Sequence, residues 1–287
     1  MKKSFDFSED SIGTLAQADV ARALAEDVSG GDLTAGLIDA GRSATAQVLA
    51  RESAVVCGSA WVQAAVLQLD PHAHITWHVR DGERCAANQV VLAIKGRAQA
   101  LLTAERTALN FLQLLSAVAT KTATYVDAVK GTQAKIVDTR KTLPGLRLAQ
   151  KYAVRMGGGT NHRIGLYDAV LIKENHIAAA GGIAQVLARA TTVAAQADFV
   201  QIEVENLGQL AQALDAGARM VLLDNMDLAQ LREAVRINSG RASLEISGGV
   251  TLEGLRTLAE TGVDRISIGG LTKDVKAIDF SMRFEDF

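Results

Sequence analysis

Six short apolar runs recur through the second half of the chain, at residues 135–137, 169–172, 199–204, 220–223, 244–246 and 265–268. Helical segments of about ten to fifteen residues fall between them. Strands that alternate with helices must run parallel and be joined by right-handed crossovers, which leaves few architectures open. No GxGxxG fingerprint follows the first run, so a complete or slightly incomplete (β/α) barrel is expected in preference to an open nucleotide-binding sheet. Asp215-Ala216-Gly217 and Gly262 suit the short returns from helix to strand that a barrel needs.

The runs end in polar residues: Asp138; Lys173-Glu174-Asn175-His176; Glu203 to Asn206; Asp224-Asn225; Ser247-Gly248-Gly249; and Gly269-Gly270. Barrels of this kind build their sites at C-terminal strand ends. Glu203 and Asp224 close consecutive strands, which suits them to ribose hydroxyls, to a developing cation, or to part of a divalent-metal site. A structural pairing with Lys173 or Arg140 is the plainer alternative. Ser247-Gly248-Gly249 and Gly269-Gly270 offer backbone N–H groups for a phosphate, although glycine pairs also serve simple turns.

Between the first and second runs, residues 140–163 hold four arginines (Arg140, Arg147, Arg155, Arg163) together with Lys141, Lys151 and His162, beside Gly157-Gly158-Gly159. A solvated charge run is the bland explanation. Together with the other strand ends, the density fits a small polyanion. Lys141 and Lys173 suit a pyrophosphate leaving group as compact point charges, and Arg140, His162 and Arg163 suit fixed carboxylates with forked or planar donors. The three glycines make the segment a candidate for ligand-dependent movement.

The first part of the chain reads differently. A helix is expected over residues 14–26, then β-like runs at 44–56, 73–79 and 89–96, with a helix at 61–69 between the first two. Asp81-Gly82-Glu83 and Lys95-Gly96 read as turns, and residues 103–129 as one long helix. This order describes a small α+β layer. The domain change is placed inside the long helix near Gln113, giving domains at 1–113 and 114–275, with 276–287 rejoining the first.

Composition excludes other classes. With 48% hydrophobic and 22% charged residues the chain is globular, and a net charge of −2 argues against a general nucleic-acid binder. No apolar run reaches the ~18–20 residues of a membrane span. The first residues lack an apolar signal core, and Cys57 and Cys85 are too few for a disulfide framework, so a reduced cytoplasm is the expected location. The cysteines lack a nearby His in sequence and read as small apolar residues. His72, His74 and His78 share parity on one strand but lack carboxylate or thiol company, so a solvated face is expected rather than a metal site.

Taken in order, residues 105–110 (ERTALN), Asp138-Thr139-Arg140-Lys141-Thr142, 157–163 (GGGTNHR), 171–176 (LIKENH), Glu203-Val204-Glu205, Leu223-Asp224-Asn225 and Ser247-Gly248-Gly249 resemble the quinolinate phosphoribosyltransferases. The resemblance covers essentially the whole chain, and its specificity lies in the set of motifs together. It implies an α/β fold, an N-terminal α+β open-faced sandwich followed by an incomplete (β/α) TIM-like barrel. It also implies the reaction of quinolinate with phosphoribosyl pyrophosphate to nicotinate mononucleotide, pyrophosphate and CO2, a step of de novo NAD biosynthesis. Mg2+ is implied as cofactor, carried mainly by phosphoribosyl pyrophosphate. So is a homodimer with shared sites, in which Arg106 reaches the partner's barrel; a larger assembly is left open. Arg140, His162, Arg163 and Lys173 match the family's quinolinate set. Lys141, Glu203, Asp224 and the two glycine loops match its phosphoribosyl pyrophosphate set, with Thr139 between them.

Competing readings are a relative using nicotinate or another acceptor, a phosphate-ester-binding protein without catalysis, and a structural subunit. The first needs only one carboxylate clamp; the second leaves Glu203, Asp224 and the lysines without a task.

Overall fold

A computed structural model describes residues 5–285 of the chain. By backbone contacts they cluster into two compact units, one made of Asp6–Ala123, Leu143–Gly158 and the chain from Asp274 on, the other of Thr124–Thr142 and Gly159–Lys273. The sequence pattern places the domain change near Gln113; by backbone contacts the chain divides within the same long helix, between Ala123 and Thr124.

The first unit opens with α1 (Glu9–Asp27), followed by β1 (Ser43–Ala50), β2 (Ala54–Val55), α2 (Ser59–Leu69), β3 (His74–Trp77), β4 (Arg84–Cys85), β5 (Val90–Arg97) and α3 (Ala98–Ala128). Helix α1 starts at Glu9 rather than Thr14, because Glu9 and Asp10 complement the positive end of the helix and Gly13 is tolerated within it. The run expected at 44–56 is two strands, broken at Arg51-Glu52-Ser53. Lys95-Gly96, expected as a turn, lies inside β5 and pairs with Thr45 and Ala44 of β1. Gly96 is there because a Cβ would meet the Asp70 carboxylate at 2.9 Å, so this glycine marks close approach and not a reversal.

Strand β1 alternates buried and less buried residues, with Ala44, Ala46, Val48 and Ala50 covered, as a half-buried sheet requires. Helices α1 and α2 are joined by a polar link in the core: the Trp61 indole N–H donates to the Asp19 carboxylate at 2.9 Å, and both residues are buried.

The second unit continues with β6 (Lys135–Val137), while α4 (Arg147–Met156) belongs to the first unit. Then come β7 (Val170–Ile172), α5 (Glu174–Ala180), α6 (Ile183–Ala194), β8 (Val200–Val204), α7 (Leu207–Asp215), β9 (Met220–Asp224), α8 (Leu228–Asn238), β10 (Ser243–Ser247), α9 (Leu252–Ala259), β11 (Arg265–Ser267) and the single turn α10 (Gly270–Lys273). The last strand, β12 (Phe280–Glu285), pairs antiparallel with β1 and completes a sheet ordered β12-β1-β5-β3 in the first unit.

The six parallel strands are ordered β6-β11-β10-β9-β8-β7. The last strand pairs with the first, as barrel closure demands, and the sheet stays open between β6 and β7. Thr160 forms a parallel bridge to Val137 on the free edge of β6. This is an incomplete (β/α) barrel. Its core lies between strands and helices, built from Ile202, Val204, Val221, Leu223, Leu244, Ile246 and Ile266 against Leu210, Leu231 and Leu255. Among the described residues no single helix is long and apolar enough to cross a membrane.

Candidate active site

Side chains alternate along each barrel strand, and that parity builds the site. On β8, Val200, Ile202 and Val204 join the outer core, which leaves Gln201 and Glu203 on the inner face. The same count places Leu222 and Asp224 on the inner face of β9, Glu245 and Ser247 on that of β10, and Arg265 and Ser267 on that of β11. Glu203, Asp224 and Ser247 thus form an upper layer at the strand ends, and Gln201, Glu245 and Arg265 a layer below.

At the end of β6, Asp138 is fully buried and holds protein rather than facing a ligand. Its carboxylate accepts the His162 backbone N–H and the Asn161 amide, both at 2.7 Å, and so fixes the loop that carries Arg163. Thr139 Oγ1 accepts the Lys141 N–H at 3.0 Å, and Thr272 Oγ1 donates to the Lys141 carbonyl at 2.8 Å. A Cβ at Gly269 would sit 2.8 Å from Lys141 Cδ, so the glycine leaves room for this exposed lysine to lie across the loop after β11.

Arg140 Nε is buried and has no hydrogen-bond partner among the described residues. The neighbouring Arg163 guanidinium is held below its ordinary pKa, first by burial and then by repulsion from Arg140, with Asp168 opposing. Two partly buried arginines thus stand close enough to repel each other, one of them with an unpartnered donor. Asp168 shapes the loop beyond them, accepting the N–H groups of Ile164 at 2.7 Å and Gly165 at 2.8 Å.

His162 is placed differently from the planar donor expected for a carboxylate. The imidazole is buried, its Nδ1 accepts the Arg163 N–H at 2.8 Å, and its Nε2 lies 2.8 Å from Gln201 Oε1. Both ring nitrogens are engaged within the protein.

Lys173, just past β7, lies with Nζ 3.3 Å from Glu203 Oε2. The pairing offered above as a structural alternative is therefore present, but it does not neutralise the pair's environment. Burial raises the Glu203 pKa; Lys173 lowers it, and Asp224 and Glu174 raise it further, leaving it above its ordinary value. Beside Asp224, Gly248 and Gly249 have φ of 96° and 59°, a backbone that a side chain would strain, and a Cβ at Gly248 would lie 3.6 Å from Asp224 Oδ1. Gly270 opens only a single turn.

Arg106 belongs to the first unit, exposed on α3, where it lines a depression of about 210 Å³ with Glu26, Asp27 and Asn110. A cleft of about 1080 Å³ in the same unit, lined by Ile12, Gln63, Trp77, Asp81 and Tyr152 among others, contains none of the strand-end residues. His72, His74 and His78 are exposed, and Cys57 and Cys85 are buried free thiols. Gln201, Glu245 and Arg265 escaped the reading of the strand ends. The signal was there, since Gln201 and Glu245 stand two residues before Glu203 and Ser247 on the same faces.

An incomplete parallel barrel whose strand ends gather paired cations, two carboxylates and glycine turns defines a barrel enzyme for small polyanionic substrates. Residues 118–283 match the family described as quinolinate phosphoribosyl transferase, C-terminal domain, and residues 32–116 its N-terminal domain. The nicotinate-nucleotide pyrophosphorylase [carboxylating] of Mycobacterium leprae is 43% identical over 277 residues, covering 93% of this chain and 96% of that one. A probable nicotinate-nucleotide pyrophosphorylase [carboxylating] of Bacillus subtilis is 40% identical over 257 residues, 90% of this chain and 89% of that one. The solved nicotinate-nucleotide pyrophosphorylase of Francisella tularensis superposes with a TM-score of 0.92 at 44% identity, over 95% of this chain and 97% of that one. The chain belongs to the quinolinate phosphoribosyltransferase family.

Proposed function

We propose that the chain transfers a phosphoribosyl group from phosphoribosyl pyrophosphate to the ring nitrogen of quinolinate and releases CO2, yielding nicotinate mononucleotide and pyrophosphate. The observation that carries this reading is the Arg140–Arg163 pair with the orphaned Arg140 Nε. Quinolinate bears two adjacent carboxylates, and forked guanidinium groups match them. Arg140 and Arg163 orient the acid so that its nitrogen faces C1 of the ribose. Lys173, paired with Glu203 in the free chain, stands where it can exchange that partner for a substrate anion. Lys141 serves the pyrophosphate, and the Gly248-Gly249 and Gly269-Gly270 turns the 5′-phosphate.

Pyrophosphate departure develops oxocarbenium character at C1, which the carboxylates of Glu203 and Asp224 stabilise electrostatically. The same two groups offer hard oxygen donors that would help hold a Mg2+ carried mainly by phosphoribosyl pyrophosphate. Such an ion, when bound, offsets charge on the leaving group. Once the nitrogen is glycosylated, the cationic pyridinium accepts the electron pair left at C2 as CO2 leaves, and a proton then fills that position. No dedicated base is needed for the carbon–carbon cleavage.

In the proposed homodimer, Arg106 of each subunit completes the partner's carboxylate pocket; its exposure on α3 leaves it available for that part. The test is a coupled assay with quinolinate, phosphoribosyl pyrophosphate and Mg2+. Turnover that is lost in Arg140→Ala supports the reading; turnover with nicotinate and none with quinolinate overturns it.

A further inference from the structure

We propose that Gln201 and Glu245 are positioning residues that set the tautomer of His162 and, through it, the backbone from which Arg163 reaches the substrate. The inference rests on the assignment of Arg163 to the carboxylate clamp. Neither residue carries a formal role in the chemistry above, and both are fully buried on the inner face of the barrel.

Each link fixes the next. Arg265 Nε donates to Glu245 Oε2 at 2.8 Å, which keeps that carboxylate an acceptor. The Gln201 amide then presents its NH2 to the same oxygen at 3.2 Å, so its carbonyl must face the other way. That carbonyl lies 2.8 Å from His162 Nε2, which must therefore carry the ring proton. Glu245 Oε1, which makes no hydrogen bond among the described residues, lies 3.5 Å from the same nitrogen and reinforces the demand. With the proton on Nε2, Nδ1 keeps its lone pair and accepts the Arg163 N–H at 2.8 Å. The opposite tautomer would set two N–H groups against each other there. The chain runs from β11 through β10 and β8 to the loop after β6, so it ties that loop to the rigid strands beneath it. The edge of the Phe199 ring, with centroids 5.2 Å apart, holds the imidazole plane from the side.

The test uses the full-length chain labelled with 15N-histidine, the His162 signals being assigned by their loss in His162→Gln. Wild type should show a single Nε2–H tautomer. The near-isosteric Glu245→Gln, whose amide lets Gln201 turn over and present its NH2 to Nε2, should populate the Nδ1–H form, whereas Gln201→Leu, which leaves Glu245 Oε1 and the Arg163 N–H in place, should keep the Nε2–H form. In Glu245→Gln, KM for quinolinate should rise about tenfold while kcat and KM for phosphoribosyl pyrophosphate stay within about twofold. An unchanged tautomer in Glu245→Gln, or a changed tautomer with an unchanged quinolinate KM, overturns the proposal. So does an equal loss for both substrates, which a merely structural role would produce. A wild type inactive on quinolinate would sink the underlying assignment, while the nitrogen shifts would still decide whether the network sets the tautomer.

Discussion

Lys173 Nζ stands 3.3 Å from Glu203 Oε2, across the ends of the neighbouring strands β7 and β8. An ion pair with a half-exposed lysine adds little to stability, but it holds a cation and an anion ready at the mouth of the barrel. Burial and the nearby Asp224 carboxylate outweigh the lysine and raise the Glu203 pKa.

That shift has a sign that can be tested. The folded chain holds the Glu203 proton more tightly than the unfolded chain, so this contribution to stability is full below the ordinary value of 4.5 and is lost as pH rises through the folded value. Glu203→Gln should therefore raise the thermal midpoint near pH 7, and the gain should vanish on acidification below about pH 4. Scanning calorimetry across pH reads this directly. Turnover should fall about a hundredfold in the same variant, the trade between stability and activity expected of a strained site.

In the proposed pocket, Arg140 makes a forked contact with quinolinate. Arg140→Ala should raise KM for quinolinate about a hundredfold, consistent with roughly 2–3 kcal/mol for hydrogen bonds to a charged group. Arg140→Lys should recover little, because an ammonium cannot replace the two-pronged donor. Steady-state kinetics with each substrate varied in turn distinguishes this from a general loss.

The proposed sharing of sites between subunits would make Arg106 and Arg140 complementary in trans. At quinolinate concentrations near the wild-type KM, Arg106→Ala and Arg140→Ala should each be nearly inactive alone. Mixed, dissociated and reassociated, they should regain about a quarter of wild-type activity, since half the dimers then carry one intact site. No recovery on confirmed exchange would place Arg106 in its own subunit's chemistry or outside it.

Gly157 closes α4 against α3, where a Cβ would meet the Ala119 carbonyl oxygen at 2.4 Å and the Thr122 Cβ at 2.6 Å. Both neighbours lie within a helix and cannot yield cheaply. Gly157→Ala should cost about 1–3 kcal/mol by overpacking, measured by urea denaturation.

The Trp61–Asp19 link predicts a comparable loss from a smaller change. Asp19→Ala strips a buried indole N–H of its acceptor and should cost about 1–3 kcal/mol, with a blue shift in Trp61 fluorescence.

Much of this was legible in the residues. The barrel strands showed because each is a short apolar run closed by a polar residue, and Glu203, Asp224 and Lys173 stood out as charges where an apolar strand should continue. Gln201 and Glu245 did not, because they sit inside runs whose neighbours are apolar, and only the period-2 count separates inner from outer faces. Asp19 was equally hidden: it lies on the buried face of α1 beside Ile12, Ala16 and Val20, and its partner is 42 positions away in sequence. In sequence Gly96 reads as a turn, since a lone glycine signals reversal and close approach alike, and only the packing of Asp70 tells them apart. The part played by His162 depends on Nδ1 and Nε2 separately, which no sequence pattern distinguishes.

The most direct measurement uses quinolinate labelled in the C2 carboxylate, following labelled CO2 and nicotinate mononucleotide together, with and without phosphoribosyl pyrophosphate. Equal amounts of the two products, and no CO2 in the absence of phosphoribosyl pyrophosphate, are the predicted result. CO2 released from quinolinate alone, or nucleotide formed with the label retained, would contradict the account of a transfer that precedes and drives decarboxylation.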